Sequence, residues 1–225
     1  MAQLPLDLGH RASFGGEDFL IAPCNQAAVA WLDRWPDWPG PGLAVHGPAG
    51  CGKTHLAHVF QAGATARLLI TADLPLTPAP MLLAGARAAV LDGGPPLAER
   101  ALLHLINYIA EIGGHLLIVA AEAPARWPIA LPDLASRLAA LPAVRIDPPD
   151  DRLIEALLIK LFADRQLAVP PEVVTYLTAR VERSFEALRR LVGLLDRESL
   201  ARRRAVTLPL AREIVERENA RCRRS

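Results

Sequence analysis

The spacing of apolar positions changes along the chain, and the change divides it. From Ser13 to about Pro148, short apolar runs alternate with segments whose apolar residues recur at helical spacing. The runs Leu43–His46, Arg67–Thr71, Ala88–Asp92, Leu116–Ala120 and Val144–Ile146 predict strands. Thr54–Phe60 and Leu97–Ile112 predict helices, the second with Leu102, Leu105, Ile106 and Ile109 on one face. Near-continuous apolar strands alternating with helices predict an α/β fold whose parallel five-stranded sheet is covered on both faces. The loops are proline-rich, as in Trp35-Pro36-Asp37-Trp38-Pro39-Gly40-Pro41. Pro148-Pro149-Asp150-Asp151 ends the alternation, and residues 151–165, 171–181, 184–201 and 209–219 read as helices. Ser184 and Thr207 suit N-caps, and Pro209 suits a first helical turn. The expected organisation is a tail over residues 1–12, an α/β domain over 13–148 and a helical domain over 149–225.

Composition narrows this picture. Hydrophobic residues make up 52% of the chain, enough for a large core, yet no apolar run is long enough to span a bilayer. The first residues lack a basic start and a continuous apolar stretch, so no signal peptide is expected, and a cytoplasmic location without a membrane partner follows. Cys24, Cys51 and Cys222 are scattered and odd in number, which points to a reducing compartment and away from a zinc site or a disulfide framework. The net charge of +1 hides an asymmetry: residues 1–147 carry nine basic and twelve acidic side chains, residues 148–225 sixteen and twelve. A basic helical domain could face nucleic acid, but a solvated arginine-rich surface explains the excess more simply.

The chemistry sits at the end of the first strand. Gly47-Pro48-Ala49-Gly50-Cys51-Gly52-Lys53-Thr54 has the phosphate-loop pattern GxxxxGK[ST], placed between strand and helix as that motif requires. The glycines let backbone N–H groups turn toward phosphate oxygens, Lys53 can reach the β and γ phosphates, and Thr54 can hold Mg²⁺. His55 closes the expected nucleotide-binding segment. The chain has only two lysines, Lys53 and Lys160, so a lysine at this position stands out. ATP or ADP with Mg²⁺ is therefore the expected cofactor. Asp92, at the end of the third strand, is the expected second contributor to the Mg²⁺ site. Gly93 follows, where many ATPases of this layout have a carboxylate that orients the attacking water. General-base help of roughly 10²–10⁴-fold is lost without it. Glu99 lies further on, about two helical turns into the next segment, and nothing in the sequence brings it to the water. Weak intrinsic hydrolysis is the expectation.

Together these features resemble an AAA+ ATPase, and more closely the family of the replication initiator DnaA. Residues 19–27, FLIAPCNQA, look like the family's stretch near the adenine. Leu134-Ala135-Ser136-Arg137-Leu138 looks like its arginine-finger segment, and Ile146-Asp147-Pro148-Pro149 like its link to the lid. The chain stops after the lid, so the DNA-reading helix-turn-helix of DnaA is not expected. Gln3-Leu4-Pro5-Leu6-Asp7-Leu8 is similar to the clamp-binding peptide of the Hda-like, DnaA-homologous AAA+ proteins, with Gln3, Leu4, Leu6 and Leu8 as its contacts. Three departures stand out: Gly93, the apolar Ala120 and Ala121 where the family places a polar sensor, and Glu186 where it places a sensor arginine, between Arg183 and Arg189. The resemblance implies a regulator that binds the DNA polymerase III β sliding clamp and a nucleotide and stimulates hydrolysis of DnaA-bound ATP. Arg137 would act in trans, DNA would be met only through the clamp, and a homodimer is also expected. The alternatives are a DnaA-related ATPase acting as a loader on DNA, and an adaptor that keeps only the fold.

Overall fold

Strands β1 (Gly42–His46), β2 (Arg67–Ile70), β3 (Ala88–Asp92), β4 (His115–Ala120) and β5 (Ala143–Arg145) form one sheet in the order β2-β3-β4-β1-β5. Every pairing is parallel. The sheet is apolar on both faces because helices cover both. Val45, Val90, Leu117 and Val119 share one core with helices α1 (Gln26–Asp33) and α2 (Lys53–Ala64). Ala44, Leu91, Leu116 and Ile118 share the opposite core with α3 (Ala79–Leu83), α4 (Glu99–Glu111) and α5 (Pro132–Ala140). The computed structural model describes residues 21–222, and the chain divides into two compact units after Asp147.

Phe60 fixes α2 to the sheet. It is fully buried, stacks on Trp38 at 5.4 Å between centroids, and meets the edge of Trp35 at 5.8 Å. Such pairs add about 0.5–1.5 kcal/mol each beyond the area they bury. His115, the first residue of β4, presents its ring to both tryptophans at 5.6 and 6.2 Å. The indole N–H of Trp38 donates to the Trp31 carbonyl at 2.8 Å, which ties this cluster to α1.

The second unit consists of α6 (Asp151–Ala163), α7 (Pro171–Thr178), α8 (Phe185–Arg202) and α9 (Leu208–Cys222). Asp150 and Ser184 cap α6 and α8 by accepting the N–H groups of Leu153 and Ala187, at 2.8 and 3.1 Å. Much of its basic excess is already paired: Arg183 with Asp151, Arg190 with Glu218, Arg202 with Glu213, and Arg217 with Glu198. That pattern fits a solvated surface better than a phosphate-binding face.

The structure shifts several expected boundaries. Strand β5 starts one residue early, although the Ile146 N–H still donates to the His46 carbonyl at 2.8 Å and prolongs the ladder. Helix α4 begins at Glu99, leaving Leu97 after Pro95-Pro96 in solvent. The short α1, α3 and α5 have too few turns for the apolar period to single them out.

Burial holds the His115 imidazole below its ordinary pKa, against a raising hydrogen bond to the Pro36 carbonyl. The fold therefore prefers neutral His115, and its stability falls as pH drops through about 6.5, where the unfolded chain takes up the proton. The melting temperature is expected to be lower at acidic than at neutral pH, and His115→Gln should reduce the difference. An unchanged pH dependence in the variant would rule His115 out as its source.

Candidate functional site

The phosphate loop leaves the sheet at β1, whose neighbours β4 and β5 both come later in the chain. Crevices at such switch points, beside the carboxyl ends of the strands, are where open α/β sheets take ligands. His46 ends β1, in register with Ala120 and Arg145. The next residue, Gly47, has φ +157°, and a Cβ there would lie 2.2 Å from the Ile146 carbonyl oxygen. No other residue fits. The Gly47 N–H donates to the Ala120 carbonyl at 3.3 Å, and Gly52 caps α2. Lys53 folds back on its own loop, donating to the carbonyls of Gly47 and Pro48 at 2.8 and 2.7 Å. These are weak partners for an ammonium compared with phosphate oxygens. Thr54 is exposed in the first turn of α2, followed by the half-buried His55. The donor set fits a nucleotide polyphosphate: backbone N–H groups at a helix N-terminus, one lysine and one hydroxyl.

Asp92 ends β3 in register with Val119, on the same edge of the sheet and one strand removed from β1. The position after it is closed. Gly93 has φ +145°, and a Cβ there would stand 2.5 Å from the Thr71 hydroxyl oxygen. The sequence shows that the second acid is missing; the structure shows that a side chain there would be strained and would have to displace the Thr71 side chain. Glu99 cannot replace it. It is the first residue of α4, not two turns in, and both its oxygens are engaged, accepting the N–H groups of Ala130 and Leu131 at 2.9 and 2.7 Å. Those residues lead into α5, so Glu99 anchors the start of the helix that carries Arg137.

The electrostatics reveal two cations that pattern reading missed. His46 lies below its ordinary pKa, through burial first and then the charges of Arg145, Arg126 and Lys53, with Asp147 pulling the other way. Arg126, in the short turn 124–126 after β4, and Arg145, at the end of β5, thus add positive charge beside the loop. Ala120 and Ala121 gave no polar sensor, and only the fold brings Arg126 near. Arg145 also pairs with Asp147 at 2.8 Å, and the Asp147 N–H donates to the Cys24 carbonyl at 3.1 Å. That bond holds the turn before α1 next to the strand end that backs Gly47. Asn25, buried in that turn, closes it by accepting the Ala22 N–H at 2.9 Å.

Arg137 stands exposed in the last turn of α5, beside Pro39, Pro41 and Pro142. It has no ion pair or hydrogen bond among the described residues. Glu186 lies exposed in the first turn of α8, where a carboxylate suits the helix dipole. Arg183, one of its flanking arginines, is tied to Asp151 at 2.6 Å and to the Pro149 carbonyl at 3.5 Å. Of the two arginines that could stand in for a sensor, it is thus already engaged. Gln3, Leu4, Leu6 and Leu8 lie outside the described residues.

A phosphate loop at this switch point, with a strand-end acid one strand removed, defines an AAA+ fold. Comparison with known proteins refines the class. Residues 150–215 match the family model for the lid domain of Hda. Domain III of the Thermotoga maritima replication initiation protein DnaA is similar at TM-score 0.77 and 18% identity, over 88% of this chain and 93% of that one. AMPPCP-bound DnaA from Aquifex aeolicus is similar at TM-score 0.69 and 16% identity, over 96% of this chain and 71% of that one. Residues 150–215 thus form an Hda-type lid, and the chain shares the AAA+ fold of DnaA domain III.

The closed position at Gly93 predicts that Gly93→Ala lowers stability by about 1–3 kcal/mol, the usual cost of a strained backbone conformation. Thermal unfolding measures it. A variant melting with the wild type would show that position 93 is open to a side chain.

Proposed function

We propose that this chain regulates replication initiation by binding the DNA polymerase III β sliding clamp and an adenine nucleotide, and by stimulating hydrolysis of DnaA-bound ATP. The observation that carries the reading is a contrast within the AAA+ unit: position 93 has no carboxylate, and a side chain there would be strained against Thr71, while Arg137 is exposed and unpaired among the described residues. A chain poorly equipped to hydrolyse its own nucleotide, yet offering a guanidinium to a neighbour, suits an activator in trans. The Hda-type lid and the DnaA-like fold support the same conclusion.

In this reading the chain's own ADP or ATP is held by the N–H groups of residues 49–54, by Lys53 and by the segment end at His55. Thr54 and Asp92 hold its Mg²⁺, which neutralises phosphate charge. Lys53 exchanges its loop carbonyls for phosphate oxygens, and the ligand stiffens the loop and α2. Arg137 does the work on the partner. A planar guanidinium against the transferring phosphoryl group stabilises the charge that develops there, an effect of about 10³–10⁵ in rate for arginine fingers. Glu99 orients the start of α5 and so helps to aim it. The tail at Gln3, Leu4, Leu6 and Leu8 binds the clamp, concentrates the chain on replicating DNA and makes its encounter with DnaA local. DNA is then met through the clamp. A stand-alone loader that runs on its own ATP has less support, because Gly93 and the engaged Glu99 leave it no base.

Two outcomes follow. Arg137→Ala should abolish stimulation of the DnaA ATPase and leave clamp capture intact, as read by ATP turnover with clamp-loaded DNA; surviving stimulation would remove Arg137 from the role. Changing Gln3 and Leu6 together to Ala should abolish clamp capture and leave the melting temperature unchanged. A pull-down with undiminished clamp would refute the tail's role.

A further inference from the structure

Strand β4 ends between the two halves of the candidate site. On one side the Gly47 N–H, at the start of the phosphate loop, donates to the Ala120 carbonyl at 3.3 Å. On the other the Gly93 N–H, next to Asp92, donates to the Val119 carbonyl at 3.0 Å. In the nucleotide site proposed above, a polyphosphate leaves the loop and shares its Mg²⁺ with Asp92, so it passes the end of β4. Ala120 and Ala121 offer it only methyl groups there. A further cation from the chain would stabilise the far end of that polyphosphate.

Arg126 is the first cation after β4. Its turn, residues 124–126, is anchored at both ends: Pro124 is buried, and Trp127 is buried in the core shared with α3, α4 and α5. The Arg126 N–H donates to the Ala123 carbonyl at 2.8 Å and the Trp127 N–H to the Pro124 carbonyl at 3.1 Å, which fixes the backbone under the side chain. The residue is exposed, and its guanidinium has no ion pair or hydrogen bond among the described residues, not even with Glu122 four residues before it. Arg145, the other cation beside the loop, is engaged by Asp147 at 2.8 Å. After burial, the charges that hold the His46 imidazole down are Arg145, then Arg126, and least of the three Lys53. Arg126 thus lies within electrostatic reach of the strand end from which the loop departs.

We infer that Arg126 contacts the terminal phosphate of this chain's own ATP and lets the chain tell ATP from ADP. This rests on the nucleotide binding proposed above. ADP presents no phosphate at that place, so its affinity depends on the loop, Lys53 and the Mg²⁺ site. ATP gains a charge-assisted contact, and the guanidinium gives up no earlier partner to make it. The discrimination that Ala120 and Ala121 cannot supply comes from a residue further along the same connection.

Calorimetric titration of the full chain with Mg²⁺-ATP and with Mg²⁺-ADP, at one ionic strength, tests this. Arg126→Ala should weaken ATP binding at least about tenfold, or 1.4 kcal/mol, and leave ADP binding within about twofold of the wild type. The melting temperature of the nucleotide-free variant checks that the fold is kept. An equal loss for both nucleotides, or no loss for either, would overturn the inference and leave nucleotide binding standing. A wild type that binds neither nucleotide would instead remove the nucleotide reading itself, and the inference with it.

Discussion

The Ile146 carbonyl approaches Gly47 so closely that any side chain at residue 47 would overlap it. The nucleotide loop depends on this contact. It brings the end of β5 against the start of the loop and leaves the loop backbone to turn away from β1. The Ile146 N–H meanwhile donates to the His46 carbonyl, which prolongs the β5 ladder past Arg145. Asp147 continues the arrangement by bonding to Cys24, which sets the turn before α1 beside the loop. A single close approach thus organises three segments far apart in sequence, and Arg145 enters the neighbourhood of the loop with them.

The rest of the AAA+ unit divides its chemistry unevenly. Phe60, locked between Trp35 and Trp38, keeps α2 and therefore Lys53 and Thr54 in place. The binding half of the site is thus complete in residue type. The hydrolytic half is not. Thr71 fills the space beside Gly93, and Glu99 spends its carboxylate on two backbone N–H groups at the head of α5. The acid that could have been a base is a positioning group for the helix bearing Arg137. On the function proposed above, a unit built this way would keep a nucleotide better than it consumes one and offer its reactive charge outward.

The period of the apolar residues revealed all five strands and the long helices, because parallel strands buried on both faces leave uninterrupted apolar runs. It did not reveal α3 or α5, which are too short to establish a period, or the one-residue shift of β5. The phosphate loop was legible because its glycines and lysine are fixed by local backbone geometry. Arg126 was not, because its relevance depends on β4 and β1 being neighbours, which no local pattern encodes. Gly93 was legible as a missing acid, while the Thr71 hydroxyl beside it, in the turn that follows β2, is a tertiary contact. Arg183 looked available in the sequence and is engaged by Asp151 across more than thirty residues.

The central claim is that ATP is turned over on the partner and not on this chain. A single-turnover assay can separate the two pools, with labelled ATP bound first to DnaA or first to this chain before the proteins meet on clamp-loaded DNA. The account predicts rapid loss of the label carried by DnaA and persistence of the label carried here. Rapid hydrolysis of this chain's own ATP, with the DnaA pool unchanged, would contradict it.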